Sequence, residues 1–104
     1  MNTALRNNTS SSWLQDWHAA HRRDAQPKGR VRIETLDNPG WWVRIDLAGT
    51  ELASRPFTKI ADHKRSHLDW FHALVSHVYD ASSGPLGLGR CLEEFRLWAE
   101  QNGA

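Results

Sequence analysis

The stretch that decides the fold is residues 33–47, which read IETLDNPGWWVRIDL. Apolar and charged residues alternate on both sides of the central DNPG sequence, and a period of two places one set on each face of a β-strand. Pro39 sets φ at about −65° at the first central position of a turn, and Gly40 is expected to take the positive φ of the second. We therefore predict an antiparallel hairpin with strands over residues 30–36 and 41–48 and with one buried face.

The same period assigns a face to each side chain of the predicted hairpin. On the second strand, Trp42, Arg44 and Asp46 face outward, and the residues between them face the core. The buried face needs a cover, and aromatic residues at helical spacing near the two ends of the chain are expected to supply it. These are Trp13, Trp17, Phe95 and Trp98, which would lie over Val31, Ile33, Val43 and Ile45.

Length and composition bound the class of protein. A chain of 104 residues holds one domain with one modest core, and 39% apolar with 24% charged residues is typical of a soluble globular protein. The net charge of +1 gives no general attraction to nucleic acid or to an anionic membrane, and no apolar run approaches the ~18–20 residues that cross a bilayer. A single cysteine excludes an internal disulfide framework and fits a reducing compartment, so we expect a cytoplasmic protein.

The N-terminal part of the chain predicts a tail followed by a helix. Residues 1–11 are rich in Asn, Thr and Ser, and we expect them to form a flexible tail, with a single domain over residues 12–104. A helix is predicted over residues 12–23, and it is expected to begin at a capping box formed by Ser12 and Gln15.

The second half of the chain is less decisive. A third strand is predicted over residues 57–62, and residues 81–89 are expected to form a loop before a last helix over residues 89–101. Between them, residues 66–79 fit either a helix or a strand. Leucine and alanine favour the helix, whereas aromatic and β-branched residues favour the strand, so the pattern alone leaves this segment open.

Three sets of residues invite a chemical function, and each has a simpler interpretation. His63 and His67 are four residues apart, but no third ligand stands at a known spacing, so we predict no metal site. Cys91 lies in helical sequence beside two acids, which raise a thiol pKa, so a small cysteine-dependent enzyme stands only as a second alternative. The basic segment over residues 22–32, with tryptophans nearby, makes a small nucleic-acid-binding domain the first alternative.

Four short sequences carry a family resemblance that extends over residues 13–99. They are WLQDW at 13–17, IETLDNPGW at 33–41, IDL at 45–47 and GTEL at 49–52. With them the chain resembles the bacterial immunity protein 53 family, whose members neutralise toxins delivered between competing bacteria. The resemblance implies an α+β domain in which residues 68–79 form a strand. It also implies a toxin as protein partner, and it provides no catalytic residues.

These observations together predict a fold and a binding role. We expect an α+β domain with an antiparallel sheet of about four strands and with N- and C-terminal helices packed on one face. The expected function is that of a non-enzymatic immunity protein that occludes a cognate toxin and needs no cofactor. The outward strand face and its turn would bind the toxin through Arg32, Glu34, Asp37, Asn38, Trp42, Arg44 and Asp46.

Overall fold

A computed structural model describes residues 9–21 and 29–103, with the backbone alone for residues 63–65. Within these residues, two helices and five strands follow one another along the chain. Their bounds are Ser10–His21 (α1), Val31–Leu36 (β1), Gly40–Asp46 (β2), Ile60–Ser66 (β3), Asp69–Val75 (β4), Val78–Ser83 (β5) and Leu88–Gln101 (α2). The strands form one antiparallel sheet with the spatial order β1-β2-β5-β4-β3.

The core lies between the two helices and one face of the sheet. Every second residue of the central strands points into it, so Val43 on β2, Phe71 on β4 and Tyr79 on β5 are buried. Helix α2 lies across these three strands and contributes Phe95, and α1 packs against α2. The predicted α+β arrangement with both terminal helices on one face is confirmed, with five strands where about four were expected.

Aromatic rings hold the two helices against each other and against the connection between β2 and β3. Trp17 of α1 packs edge-on against Phe95 of α2, with 5.1 Å between ring centroids. Trp98 of α2 packs edge-on against Phe57, and its indole N–H donates a hydrogen bond to Pro56 O at 2.7 Å. Both tryptophans are only 6% exposed, which confirms their predicted place in the core.

Three of the predicted core residues are less buried than expected. Trp13 packs edge-on against Phe95 but stays half-buried. Ile33 is 43% exposed, because β1 is the edge strand and α2 lies over β2, β5 and β4 instead. The prediction that Ile33 is buried is therefore wrong, whereas Val31 on the same strand is partly buried against the core.

The first helix begins two residues earlier than predicted and has a different cap. Thr9 Oγ1 accepts a hydrogen bond from the backbone N–H of Ser12 at 3.1 Å, as an N-cap residue does. Ser12 lies inside the helix and is buried, so the predicted capping box is wrong. Residues 1–8 of the predicted tail and residues 22–23 of the predicted helix lie outside the described residues.

The segment that the sequence left open between helix and strand belongs to a second hairpin. Strands β4 and β5 pair antiparallel around a turn at Ser76 and His77. The single strand implied for residues 68–79 is therefore two strands, and β5 continues to Ser83, into the predicted loop. The third strand also starts later than predicted, at Ile60.

The first hairpin has the predicted pairing but a different turn. Strands β1 and β2 pair over their whole length, and residues 37–39 form the turn, with a cis peptide bond between Asn38 and Pro39. Gly40 does not have the positive φ that was predicted for it. It is the first residue of β2, where a Cβ atom would collide with Ser83 O on β5, so glycine is needed for close approach of two backbones.

Adding a methyl group at this close approach is expected to destabilise the fold. Gly40→Ala should lower the free energy of unfolding by about 1–3 kcal/mol, because the backbone of β5 must move to accommodate the methyl group. The matched control is Gly89→Ala in the first turn of α2, where nothing lies within 4 Å of the new Cβ. That change should be neutral or stabilise by up to about 1 kcal/mol. Urea titration measures both, and equal midpoints would contradict the predicted clash.

Truncation of either buried tryptophan should be more costly. Trp17→Ala and Trp98→Ala are each expected to lower the free energy of unfolding by about 3–5 kcal/mol, because each leaves a cavity beside Phe95. Trp98→Phe keeps most of the ring packing and loses the hydrogen bond to Pro56 O, so it should cost about 1–2 kcal/mol. Thermal unfolding followed by circular dichroism gives all three values. An alanine variant as stable as the parent would place that ring outside the core.

Candidate functional site

The sheet face that the two helices leave uncovered carries the candidate site. Opposite residues of antiparallel strands share a face, so Glu34, Trp42, Ser82 and His72 form one row across β1, β2, β5 and β4. This surface is termed the open face. It is defined by Arg32, Glu34, Trp42, Arg44, Asp46, Trp70, His72, Leu74, Val78, Asp80 and Ser82.

Three side chains of β2 and β5 form a connected group near the centre of the open face. The indole N–H of Trp42 donates a hydrogen bond to Asp80 Oδ1 at 2.8 Å, and Arg44 Nε lies 3.9 Å from Asp80 Oδ2. The guanidinium carbon of Arg44 lies 5.4 Å from the centre of the Trp42 ring, within the range of a cation–π contact. Each of the three side chains therefore contacts the other two, across two neighbouring strands of the sheet.

The arginine of this group keeps hydrogen-bonding capacity that the described residues do not use. Arg44 Nε is buried and has no hydrogen-bond partner among them, since its 3.9 Å distance to Asp80 is too long for one. The side chain as a whole is still 37% exposed. A guanidinium carries five N–H donors and no acceptor; because Nε itself is buried, only the exposed remainder of the Arg44 side chain is accessible to an acceptor on another molecule.

Charges on the open face are mixed in sign. Arg32 lies directly opposite Arg44, and like charges in that position repel each other. Each arginine has its own acid, because Arg32 donates a hydrogen bond to Glu34 at 2.9 Å and Arg44 pairs with Asp80. Asp46 is exposed at the end of β2. A surface on which arginines and acids alternate in this way does not present the continuous positive potential that attracts a nucleic acid.

A second aromatic group lies on β4. The rings of Trp70 and His72 pack edge-on, with 5.4 Å between their centroids. Together with Asn38, Ser66 and His67 they line a shallow cleft at the end of the sheet where the β1–β2 and β3–β4 turns lie. The cleft continues the open face towards the first turn, so this end of the face is lined by polar and aromatic side chains.

All seven residues predicted to bind a partner lie on the open face or at its turn. Five are on β1 and β2, and Asp37 and Asn38 are exposed in the turn. Trp42 and Arg44 are half-buried by contacts within the face itself, and both helices lie on the other side of the sheet. Whether these residues bind a partner stays a prediction.

The sequence analysis missed the contributions of β4 and β5 to this face. The aromatic pair Trp70 and His72 was not predicted, because residues 66–79 were left open between helix and strand, and Asp80 lies just after that segment, where no strand was predicted. The available signal was short, the alternation in residues 70–73, where Trp70 and His72 alternate with the buried Phe71 and Ala73. The pairing of Asp80 with Trp42 joins residues far apart in the sequence, and no local pattern reveals it.

Cys91 lies on the opposite side of the sheet, inside the core. It is 0% exposed, and burial raises the pKa of its thiol despite a hydrogen bond with Ser83 and the nearby charge of Arg90. Its backbone oxygen accepts a hydrogen bond from the Tyr79 hydroxyl at 2.7 Å. A catalytic cysteine needs access and a lowered pKa, so this geometry argues against the cysteine-dependent alternative.

Other predicted sites fall partly outside the described part of the chain. The side chain of His63 is not described, and the described residues contain no cluster of three or more His, Cys, Asp or Glu residues placed to hold a metal ion. Residues 22–28 of the basic segment also lie outside it, while Arg32 at its end pairs with Glu34. Among the described residues, neither helix has the length and apolar character that a membrane crossing requires.

The fold and the open face define a class of small α+β domain in which two helices cover one side of a sheet and leave a structured surface on the other. A model of the family described as Immunity protein 53 matches residues 11–100. The chain belongs to the Immunity protein 53 family, as the resemblance in its sequence implied. No significant match was found among curated proteins or solved structures.

The buried position of Cys91 leads to a prediction about its reactivity. A thiol reagent such as DTNB should label the native chain at least about 100-fold more slowly than the chain in denaturant, because labelling requires a transient opening of the core. The measurement is unambiguous because the chain has a single cysteine. Rapid labelling of a chain that keeps its native circular dichroism would show that the thiol is accessible.

Proposed function

We propose that this chain is an immunity protein that binds a cognate toxin with its open face and neutralises it by occlusion, without catalysing a reaction. Membership of the Immunity protein 53 family supports the neutralising role. The observation that carries the choice of surface is the group formed by Trp42, Arg44 and Asp80, which places an indole and a guanidinium side by side on the sheet face that the two described helices leave uncovered.

The chemistry of this group suits a tight protein interface. Tryptophan and arginine are the residues most enriched among side chains that dominate binding energy. Here both are restrained before binding, so less conformational entropy is lost when a partner docks. Trp70 and His72 add a second aromatic contact on β4, and the exposed Asp46 adds a charge at the rim. A partner that covers this face would meet rigid anchors surrounded by polar groups.

The setting proposed for this activity follows from the family. The toxin would belong to a polymorphic toxin system, would be encoded beside this chain, and would be met in the cytoplasm of the cell that makes the immunity protein. Blocking by a preformed surface requires no cofactor and no metal. A standard interface buries about 800 Å² on each partner, which is enough to cover a catalytic cleft and exclude its substrate.

Substitutions on the open face should abolish protection without unfolding the chain. Trp42→Ala combined with Arg44→Glu should weaken toxin binding by about 30-fold or more. Loss of such an anchor typically costs at least about 2 kcal/mol of binding free energy, and the new glutamate would repel the toxin group that Arg44 attracts. Arg55→Glu is the matched control, because it makes the same charge change in the β2–β3 connection, which packs against the helix side. Co-expression with the toxin and pull-down measure protection and binding.

Asp46→Arg tests the same surface independently of the Trp42 packing. Asp46 is exposed at the end of β2, so this variant should fold normally and weaken binding if the toxin covers the open face. Circular dichroism checks the fold of each variant. Folded open-face variants that still protect cells and still capture the toxin would remove this face from the interface. Loss of protection with Arg55→Glu alone would move the interface to the helix side.

A further inference from the structure

The outer side of β1 is the second surface of this molecule with a specific pattern. Strand β1 is at the edge of the sheet, and the backbone N–H of Asp46 donates to Arg30 O at 2.9 Å. Hydrogen-bonded pairs alternate along an antiparallel ladder, so Arg32 and Glu34 also face β2 with their backbone groups. The alternate residues of the strand are Val31, Ile33 and Thr35. Their backbone N–H and C=O groups therefore point away from β2, towards the open edge of the sheet.

The two edges of the sheet differ in how well they are able to accept another strand. The β3 edge has a register shift between Asp62 and Ser66, and such irregularities interrupt pairing. Strand β1 is regular over all six of its residues. It also leaves Ile33 43% exposed on the helix side, where neither described helix covers it. Within the described part of the chain, the β1 edge thus combines backbone groups that pair with no other strand with an uncovered apolar side chain.

We propose that two copies of this chain associate through antiparallel pairing of β1 with β1, around a two-fold axis at Ile33. In this register Val31 of each copy lies opposite Thr35 of the other, and Ile33 lies opposite its own counterpart. All outward backbone groups of these three residues then form hydrogen bonds. The two five-stranded sheets become one sheet of ten strands, and the exposed Ile33 side chains pack against each other on the helix side.

The charges of Arg32 and Glu34 favour this register over the registers centred on either of those two residues. On the open face, Arg32 of each copy lies opposite Glu34 of the other, so two pairs of opposite charges face each other across the axis. Centring the pairing on Arg32 would oppose two arginines, and centring it on Glu34 would oppose two glutamates. Edge strands that avoid association carry charges that repel their own copies. The alternation of Arg32 and Glu34 is instead complementary to itself.

The contact is limited to one strand from each copy, so the association should depend on concentration. Interfaces below about 1,200 Å² are typical of transient complexes. Sedimentation of the full chain alone is therefore measured over a range of concentrations, and the mass should rise from 11.9 kDa towards twice that value. No toxin is present in this experiment, so its outcome does not depend on the proposed toxin binding.

A charge exchange tests the register. Glu34→Arg makes β1 purely basic and Arg32→Glu makes it purely acidic, so each variant alone should lose at least about tenfold in self-association. A mixture of the two should recover it as a mixed dimer, because arginines of one variant then face glutamates of the other. Glu100→Arg on the exposed side of α2 is the matched control for Glu34→Arg, with the same change in net charge of +2, and it should associate as the parent does.

Amide NMR provides a measurement that needs no substitution. The N–H signals of Val31, Ile33 and Thr35 should shift with concentration, while those of Arg32 and Glu34, already bonded to β2, should shift less. A parent chain that stays monomeric at every concentration overturns the proposal. The β1 edge would then be available only for pairing with a strand of another protein. Single variants that associate as well as the parent, or a mixture that fails to associate although the parent does, overturn the proposed register.

Discussion

The insertion of β5 between β2 and β4 is the constraint on which the rest of the structure depends. It places Asp80 beside Trp42 on the open face, and on the other face it places Tyr79 beneath α2, where its hydroxyl bonds to Cys91 O. It also brings the backbone of Ser83 so close to Gly40 that no side chain fits there. One strand therefore sets the position of the helix, the geometry of the first hairpin and the conformation of the candidate binding group.

The tryptophans on the two faces of the sheet have different roles. Trp98 donates to Pro56 O and Trp41 to Pro85 O, so both rings anchor chain connections to the helix side. Trp42 donates to a carboxylate on the open face instead, and that carboxylate also pairs with Arg44. Trp17 in the core also donates to a carboxylate, that of Glu51, which pairs with His21. What distinguishes Trp42 is therefore the arginine that shares its acceptor on the open face. The high tryptophan content thus has two separate causes.

The sequence predicts local features of the fold, such as a hairpin, but not the contacts between residues that are far apart in the chain. The first hairpin could be predicted because its strands alternate strictly and a proline interrupts them, and the same alternation placed Arg44 and Trp42 on the outer face. The β4–β5 hairpin could not, because its turn at Ser76 and His77 has no Gly, Pro or Asn and its strands carry apolar residues on both faces. The role of Gly40 was mistaken for the same reason, since the clash that requires glycine comes from Ser83 on a strand that the local sequence does not indicate.

The open face and the β1 edge share Arg32 and Glu34, and this overlap relates the two proposals. Pairing at β1 would place each of these two side chains opposite a side chain of opposite charge on the other copy. It would not cover the open face, because strands added at an edge extend a sheet in its own plane. Trp42 is on the next strand, and its contacts are with Arg44 on that same strand and with Asp80 on β5, on the side away from β1. The central group would therefore keep its geometry in a monomer and in a dimer. A dimer would present two such groups on one continuous surface, so a toxin with two-fold symmetry would gain avidity from it, while a monomeric toxin would be bound equally well by either form.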